Sequence, residues 1–188
     1  DLNSMYYPEY FVVPFTNIMH DRAMSEIFRG CIRGCRFCQA GFSCRPVRKK
    51  SPEVLYRQAV ELLENSGNNE ITISSLSTSD YRGLKELTDE LIPYCVENRI
   101  NLSVPSLRAD NFSRELMEKL QTVRKSGLTF APEAGTQRLR DVINKNLTEE
   151  EILNTCTQAF QGGWSTVKLY FMLGLPTETD EDVLGIAE

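Results

Sequence analysis

The sequence predicts an α/β fold, a partial parallel (β/α) barrel with an N-terminal β arm. From residue 26 onward, short apolar segments alternate with longer segments of helical periodicity. Strands that are separated by helices form right-handed βαβ units around a parallel sheet. A barrel of eight such units uses ~250 residues. Because this sequence has 188 residues, we expect the barrel to be truncated after about five strands.

The predicted strands and helices follow each other in order. The strands span residues 26–29, 70–74, 100–104, 128–131 and 167–173, the last (VKLYFML) being the most apolar. The helices span residues 52–65, 84–96, 113–127, 137–143, 148–161 and 179–187. Ser51 caps the first helix, and Thr148 forms a capping box with Glu151. Ser113 caps the third helix, and Pro93 is expected to kink the second or end it early.

The N-terminal segment has a different pattern. Residues 6–15 are aromatic and β-branched, and Pro8 and Pro14 interrupt them. Together with residues 23–28 they would form a hairpin or an edge extension, although an ordered arm lying on the barrel explains the pattern equally well. We therefore divide the chain into an arm or hairpin at 1–23 and a core domain at 24–188 that is incomplete at its C-terminus.

Composition excludes several classes of protein. Hydrophobic residues make up 41% and charged residues 25%, with 21 basic and 26 acidic side chains. This balance gives no general reason to expect a nucleic-acid or membrane surface, and no apolar run is long enough to cross a bilayer. The chain begins with Asp1 rather than methionine, so we expect it to be part of a longer polypeptide. Since it shows no secretory signal pattern, we expect a cytoplasmic protein.

Three of the six cysteines lie close together. They occur in the string RGCIRGCRFC, where Cys31, Cys35 and Cys38 form a C-x3-C-x2-C pattern. Thiolates are the usual ligands of iron–sulfur clusters, and this spacing lets three of them converge on one cubane. A fourth iron then stays open to a small molecule that chelates through its amino and carboxylate groups. The sequence has one histidine, His20, so a His-rich zinc site is excluded.

Other interpretations of the cysteines remain. Structural zinc would take Cys44 as a fourth ligand, although zinc sites usually use paired C-x-x-C knuckles. A redox disulfide would join Cys35 to Cys38. Buried apolar cysteines are disfavoured by the arginines and glycines between them. Spacing and position in a loop favour the iron–sulfur cluster. Cys95 and Cys156 lie on apolar helix faces and are predicted to belong to the core.

The motif with Phe37 before the last cysteine resembles the radical S-adenosylmethionine (SAM) superfamily. The longer string RGCIRGCRFCQAGF resembles an uncharacterised branch whose full-length members carry a cobalamin-binding-like domain ahead of this one. The resemblance covers about residues 24–188. It implies a radical SAM type of barrel, a [4Fe–4S] cluster on Cys31, Cys35 and Cys38, and reductive cleavage of SAM to a 5′-deoxyadenosyl radical. Cobalamin would enter only through an upstream domain outside this chain.

The resemblance also implies residues that bind SAM. Phe37 stands beside the last cysteine ligand. Ser74, Ser75 and Ser77 occupy the place of a Gly-Gly-Glu motif that meets the methionyl amino group. They depart from that pattern, but small residues still permit close backbone approach, and serine hydroxyls accept hydrogen bonds from an ammonium. A Ser-rich turn explains them equally well.

Further candidates follow the later strands. Ser106 and Arg108 follow the third strand, although Arg108 is also placed to pair with Asp110. The resemblance implies that Glu133 contacts the ribose hydroxyls and that Lys145, twelve residues later, contacts the SAM carboxylate. The last candidates, Gly174 and Leu175, lie in GLPTET, which is similar to the GLPGET of several radical SAM branches. In this resemblance Gly174 and Pro176 would shape a loop around the adenine, with Thr177 or Thr179 capping the next helix.

The implied partners are a one-electron reductant such as a flavodoxin or ferredoxin, the remainder of the parent chain, and an unknown substrate. The subsequent reaction would be methyl or methylthio transfer. The basic run 45–50 would attract an anionic substrate such as RNA, although a solvated loop explains it better in an acidic chain. A non-catalytic zinc or iron–sulfur module for structure or RNA binding is the main alternative, and a thiol–disulfide oxidoreductase is a second.

Overall fold

The computed structural model describes residues 1–111, 115, 118–119 and 127–187. The chain divides into two compact units. Of the described residues, the first unit holds 1–29, 47–106, 115 and 118–119, and the second holds 30–46, 107–111 and 127–187. The helix predicted after Ser113, with Leu116, Leu120 and Val123 on its inner face, lies outside the described residues. Among the described helices, none combines the length and the apolar character that a membrane-spanning helix needs.

The first unit is built on a parallel sheet. Its strands are β1 (Ala23–Glu26), β2 (Phe28–Arg29), β3 (Arg48–Lys49), β4 (Glu70–Ser74) and β5 (Asn101–Ser103). Strands β1, β4 and β5 lie side by side in that order and run parallel. Strands β2 and β3 form a separate antiparallel pair. The carboxyl ends of β1, β4 and β5 therefore meet at one edge of this sheet.

The first parallel strand lies earlier than predicted. The sequence placed it at 26–29, whereas β1 begins at Ala23 and residues 28–29 pair with β3 instead. The inward-facing residues of β1 are Ala23 and Ser25, both buried. Because these side chains are small and one is polar, the apolar residues Ile27 and Phe28 dominated the pattern and shifted the predicted strand.

The prediction of β-strands in the N-terminal arm is wrong. Residues 5–22 contain no strand, and the N-terminus forms only a short 3-10 turn at Leu2–Ser4. Pro8 and Pro14 each remove a backbone N–H that a strand ladder would use, and aromatic side chains such as Tyr6 are exposed. A hairpin with residues 23–28 is also excluded, because β1 pairs with β4.

The second unit contains the strands β6 (Leu128–Glu133) and β7 (Val167–Phe171). The described helices of the whole chain are α1 (Ala40–Ser43), α2 (Pro52–Ser66), α3 (Leu84–Glu97), α4 (Gln137–Val142), α5 (Glu149–Gln161) and α6 (Asp180–Leu184). Of these, α2 and α3 belong to the first unit and the others to the second. The alternation of strands and helices that the sequence predicted is confirmed.

Local signals set the helix boundaries. In α2 the Ser51 hydroxyl accepts from the backbone N–H of Val54, and Gly67 ends the helix in a left-handed conformation. Thr148 and Glu151 form the predicted capping box of α5. Helix α3 continues through Pro93 to Glu97, so the expected early end is wrong. Its buried residues, among them Leu87, Leu91 and Cys95, lie on both sides of the proline, and their burial outweighs one lost backbone bond.

The core of the second unit lies beside its strand pair. Strands β6 and β7 run parallel, with an irregularity in register between Phe130 and Glu133. Next to them a buried apolar cluster joins the loop after β6 to helix α4 and to the loop after β7; its members are Ala134, Leu139, Ile143 and Leu175. This packing fixes both loops that follow the strands, which are the places where the sequence predicted cofactor contacts.

Candidate metal and cofactor site

The three clustered cysteines occupy the loop between β2 and α1. Cys35 is buried, and Cys31 and Cys38 are half-buried. The backbone N–H of Cys38 donates to the carbonyl of Cys35 at 3.1 Å. The backbone N–H of Arg33 donates to the Cys31 sulfur at 3.4 Å. One backbone N–H of the loop is therefore directed at the sulfur of Cys31.

The chemistry of this loop fits an iron–sulfur cluster. All six cysteines are free thiols, so Cys35 and Cys38 are not joined in a disulfide. Within the part of the chain that the structure describes, no group of three or more His, Cys, Asp or Glu side chains surrounds a point where one metal ion would sit. A cubane takes one thiolate at each of three irons, and three free cysteines in one loop can supply that set.

The cysteines predicted to belong to the core behave differently. Cys95 is fully buried, and burial raises the pKa of its thiol to about 11. Burial also raises the pKa of Cys156 above its ordinary value. Thiols that resist deprotonation in this way are poor metal ligands, and the prediction that Cys95 packs in the core is confirmed.

The cysteine loop is held by the turn that follows helix α4. The backbone N–H of Arg36 donates to the carbonyl of Ile143 at 2.9 Å, and its guanidinium donates to the carbonyl of Val142. The side-chain amide of Asn144 donates to the carbonyl of Gly34 at 2.8 Å. The loop and the turn are therefore joined through both main-chain and side-chain hydrogen bonds.

Helix α1 closes on the other side of the loop. A Cβ atom on Gly41 would lie 2.5 Å from the carbonyl oxygen of Arg33, so only glycine fits at this position. The Arg45 guanidinium donates to the carbonyls of Gly41, Arg33 and Ile32 at 2.5, 3.3 and 3.4 Å. Arg45 thus stabilises the loop, which accounts for one of the basic residues in the run 45–50.

A charged cluster lies next to the loop in the same unit. Asp110 accepts from Arg33 at 3.0 Å and from Arg108 at 2.8 and 3.1 Å. Arg108 also donates to the carbonyl of Lys145 at 3.1 Å. The pairing of Arg108 with Asp110 that the sequence allowed is therefore present, and it holds Arg108 beside Lys145. A cavity of about 40 Å³ opens here, lined by Leu107, Arg108, Ala109, Ala131, Lys145 and Leu147.

Glu133 and Lys145 form an ion pair in this region. The Lys145 ammonium lies 3.2 Å from the Glu133 carboxylate, and both side chains are largely buried, at 11% and 17% exposure. The ammonium also lies 6.0 Å from the centroid of the Phe37 ring, within the range of a cation–π contact. Glu133 has a φ of 71°, a left-handed conformation that is uncommon for residues other than glycine. Three predicted SAM-binding residues therefore lie together.

The loop after β7 contains the next candidates. Gly174 has a φ of 79°, and its backbone N–H donates to the Glu178 carboxylate at 2.6 Å. The Leu175 side chain belongs to the buried apolar cluster of this unit, so only its backbone faces outward from that cluster. Thr179 forms a capping box at the start of α6, as predicted. The roles of Gly174 and Leu175 toward adenine stay predictions.

The serine candidates lie in the first unit. Strand β4 ends at Ser74, and the Ser75 hydroxyl lies 2.9 Å from that of Thr78. Ser77 donates to Asp80 at 2.7 Å. The carbonyl of Ser106 accepts from the backbone N–H of Thr78 at 3.1 Å, so the segments after β4 and β5 meet. The structure thus brings these serines together, and their contact with SAM stays a prediction.

Asn144 and Arg140 hold parts of this site together and were absent from the predicted set. Asn144 has a φ of 54° and Asn146 a φ of 51°, and asparagine is enriched in this conformation, so the sequence NKN signalled a tight turn around Lys145. Arg140 is almost fully buried and donates to the carbonyls of Ala134, Gly135 and Leu147 at 3.0, 3.1 and 3.1 Å. Burial lowers the pKa of this guanidinium, which nevertheless stays charged. Nothing in the sequence pattern marked Arg140.

This chain is similar to known proteins of one superfamily. The sequence profile of the Radical SAM superfamily matches residues 25–188. An uncharacterized protein of Methanocaldococcus jannaschii is 39% identical over 158 residues, which make up 84% of this chain and 34% of that protein. The threonylcarbamoyladenosine tRNA methylthiotransferase MtaB of Bacillus subtilis is 26% identical over 190 residues, covering 95% of this chain and 41% of that protein. The chain therefore spans well under half the length of these relatives.

Solved structures show the same fold. The radical SAM methyltransferase TsrM from Kitasatospora setae matches with a TM-score of 0.70 at 15% identity, over 88% of this chain and 33% of that one. The cobalamin-dependent SAM radical enzyme OxsB matches with a TM-score of 0.66 at 14% identity, over 86% of this chain and 25% of that one. These likenesses confirm the predicted α/β class and the radical SAM type of fold.

The sequence match, the relatives and the fold agree. Radical SAM proteins are enzymes whose cofactors are SAM and a [4Fe–4S] cluster, as the sequence led us to expect, and cobalamin-dependent enzymes are among the structural neighbours. On this evidence the chain belongs to the radical SAM superfamily.

Proposed function

We propose that this chain binds a [4Fe–4S] cluster through Cys31, Cys35 and Cys38 and presents SAM to it. The observation that carries the proposal is the arrangement of the second unit. Three free thiols share one loop, and that loop is hydrogen-bonded to the turn that carries Lys145. When bound, the cluster supplies the electron that cleaves SAM to methionine and a 5′-deoxyadenosyl radical.

The protein's own residues bind and orient SAM in this proposal. The Lys145 ammonium suits the SAM carboxylate, because a charge-assisted hydrogen bond to an anion is stronger than a neutral one. The Glu133 carboxylate accepts hydrogen bonds from the ribose hydroxyls. These two groups now neutralise each other at 3.2 Å, so SAM would supply each with a new partner. Ser74, Ser75 and Ser77 would contact the methionyl amino end, and Ser106 is a further candidate contact to SAM.

Arg108 and Phe37 support this arrangement from two sides. Asp110 fixes the Arg108 guanidinium, which in turn holds the carbonyl of Lys145. The Phe37 ring, next to the ligand Cys38, covers the Lys145 ammonium and limits its contact with water. Both interactions reduce the freedom of a long side chain that has to meet a carboxylate in one orientation. Gly174 and the backbone of Leu175 would shape the adenine side.

The names of the relatives favour the class of the subsequent reaction. Matches include a tRNA methylthiotransferase and a ribosomal protein methylthiotransferase, each about a quarter identical to this chain. We propose that the parent protein transfers a methylthio or methyl group, with RNA as a candidate substrate and a flavodoxin or ferredoxin as a candidate reductant. Arg48 and Lys49 are exposed and available to an anion, whereas Lys50 is buried.

Anaerobic reconstitution with iron and sulfide, followed by reduction with SAM, tests the proposal. We expect one cluster per chain and the formation of 5′-deoxyadenosine, both lost in Cys31→Ala, Cys35→Ala and Cys38→Ala. Cys44→Ala is the matched control from the neighbouring sequence and is expected to keep both. Stoichiometric zinc that is lost in Cys44→Ala would overturn the proposal in favour of a zinc module. Thiol–disulfide exchange activity that needs no iron and is unchanged in Cys31→Ala would instead indicate a thiol–disulfide oxidoreductase.

A further inference from the structure

Asn144 connects the cysteine loop to the ion pair of Glu133 and Lys145. Its side-chain amide lies 2.8 Å from the carbonyl of Gly34, which directly precedes Cys35. Its neighbour in the chain is Lys145, whose ammonium bonds Glu133 at 3.2 Å. Asn144 therefore contacts the cysteine loop and is also joined directly to the backbone from which the Lys145 side chain extends.

The backbone around Asn144 is fixed independently of this amide. The N–H of Asn144 donates to the carbonyl of Asp141 at 3.0 Å, and the N–H of Lys145 donates to the carbonyl of Arg140 at 2.9 Å. The φ of 54° at Asn144 is a conformation that glycine and aspartate also adopt readily. The amide can thus be removed by substitution without a change in the path of the turn.

The contact between amide and loop is close. A Cβ atom on Gly34 would come within 3.2 Å of the Asn144 amide nitrogen. The loop also bonds this turn through the backbone N–H of Arg36, which reaches the carbonyl of Ile143 at 2.9 Å. The Asn144 bond is the one nearer to Cys31 in sequence, and it restrains the stretch between the first two thiols.

We infer that Asn144 is a positioning residue that fixes the cysteine loop relative to Lys145, and through it the cluster relative to the SAM carboxylate. This inference rests on the proposed function. Loss of the amide removes the bond between this turn and the stretch that joins Cys31 to Cys35, while the Arg36 bonds to the turn stay, so the thiols move more freely around the cluster. The cluster then releases iron faster, and SAM binds less tightly.

Three variants test the inference. Asn144→Gly and Asn144→Asp both keep the left-handed turn, and both lose the donor to the Gly34 carbonyl. Asn146→Gly is the matched control, because Asn146 has nearly the same φ of 51° and its amide donates to the nearby carbonyl of Asn144, at 3.4 Å, rather than to the cysteine loop. Two measurements are made on the reconstituted protein: the rate of iron release to a chelator, and the equilibrium binding of SAM.

Asn144→Gly is expected to release iron roughly three- to tenfold faster than wild type and to bind SAM roughly three- to tenfold more weakly. This factor is the equilibrium equivalent of one net hydrogen bond. Asn144→Asp is expected to lose more, because its carboxylate repels the Gly34 carbonyl. Asn146→Gly should match wild type in both measurements, and thermal unfolding should show Asn144→Gly and Asn146→Gly to be equally stable. Equal iron release and SAM binding by Asn144→Gly and wild type would overturn the inference alone. Wild-type protein that takes up no cluster would overturn the proposed function and, with it, this inference.

Discussion

Replacing Arg140 with lysine should destabilise the second unit strongly. The guanidinium donates to the carbonyls of Ala134, Gly135 and Leu147 at 3.0 to 3.1 Å, and to the Gln137 side chain at 3.2 Å. These carbonyls lie on both sides of helix α4, so one planar group closes the segment between Glu133 and Lys145. A lysine ammonium keeps the positive charge but lacks the forked geometry that reaches all three carbonyls.

The expected size of the effect follows from these contacts. Both cations are buried to a similar extent, so the cost of desolvating the charge largely cancels between Arg140 and lysine. An ammonium at the same place can keep about one of the three carbonyl bonds, and each buried acceptor left unpaired costs ~1–3 kcal/mol. Gln137 still donates to the Leu147 carbonyl at 3.4 Å, so one or two carbonyls lose their partner and the loss is about 2–3 kcal/mol, a large fraction of the ~5–15 kcal/mol that stabilises a typical domain.

Urea unfolding followed by circular dichroism measures this loss. Arg138→Lys is the control, since Arg138 lies two residues earlier, is half-exposed, and donates to the Asp182 carboxylate and to the carbonyl of Thr177, at 2.9 Å, rather than to the three carbonyls that Arg140 joins. We expect its midpoint to shift much less than that of Arg140→Lys. Equal midpoints for the two variants would refute the argument that the Arg140 carbonyl bonds stabilise the fold around Glu133 and Lys145.

Three further predictions concern other groups. The pKa of Asp182 is lowered because its carboxylate accepts hydrogen bonds from the Arg138 guanidinium and from the Thr136 hydroxyl. Its contribution to the stability of the fold is therefore complete above about pH 4, the ordinary range of an aspartate pKa, and is lost as the pH falls further. In urea unfolding at decreasing pH, Asp182→Asn should lose less stability than wild type, and parallel curves would contradict this. Burial lowers the pKa of Lys50, whose ammonium donates to the buried Gln58 side chain at 2.7 Å. Lys50→Met removes the buried charge and this hydrogen bond together, and the cost of the charge disappears from wild type as the pH rises through the lowered pKa. Urea unfolding should therefore show wild type gaining stability relative to Lys50→Met as the pH rises, and a difference independent of pH would argue against it. Gly41→Ala places a methyl group 2.5 Å from the Arg33 carbonyl oxygen, whereas the methyl group of Gly127→Ala meets nothing within 4 Å. Of these two variants, Gly41→Ala alone should lower iron uptake on reconstitution. Equal uptake by both would count against close packing of α1 on the cysteine loop.

Local signals in the sequence predicted the elements well where short-range chemistry decides the structure. Ser51 and Thr148 cap helices through hydrogen bonds within three residues, so the sequence alone carries that information. Strand β1 was misplaced because its inward side chains, Ala23 and Ser25, are small, and their burial depends on packing against helix α2. The arm at 1–22 has the β-branched composition of a strand but lacks a partner strand among the described residues.

The candidate site likewise combines features that the sequence predicts with features that depend on the fold. The spacing of Cys31, Cys35 and Cys38 within one loop, and the separation of twelve positions from Glu133 to Lys145, are features of the sequence itself. The bonds of Arg140 to main-chain carbonyls and of Asn144 to the cysteine loop depend on which loops the fold brings together. No periodicity or motif marks such residues, because their partners are carbonyl groups that every residue carries.

Electron paramagnetic resonance of the reduced, reconstituted protein tests the central claim most directly. In the proposed function, three cysteines hold the cluster and one iron stays open for SAM. With SAM that carries ¹⁷O in its carboxylate and ¹⁵N in its amino group, the reduced cluster should show hyperfine coupling to both labels. The coupling should persist in Cys44→Ala and disappear, together with the cluster, in Cys38→Ala. A cluster without coupling to either label, or one that needs Cys44 as a fourth ligand, would contradict the account.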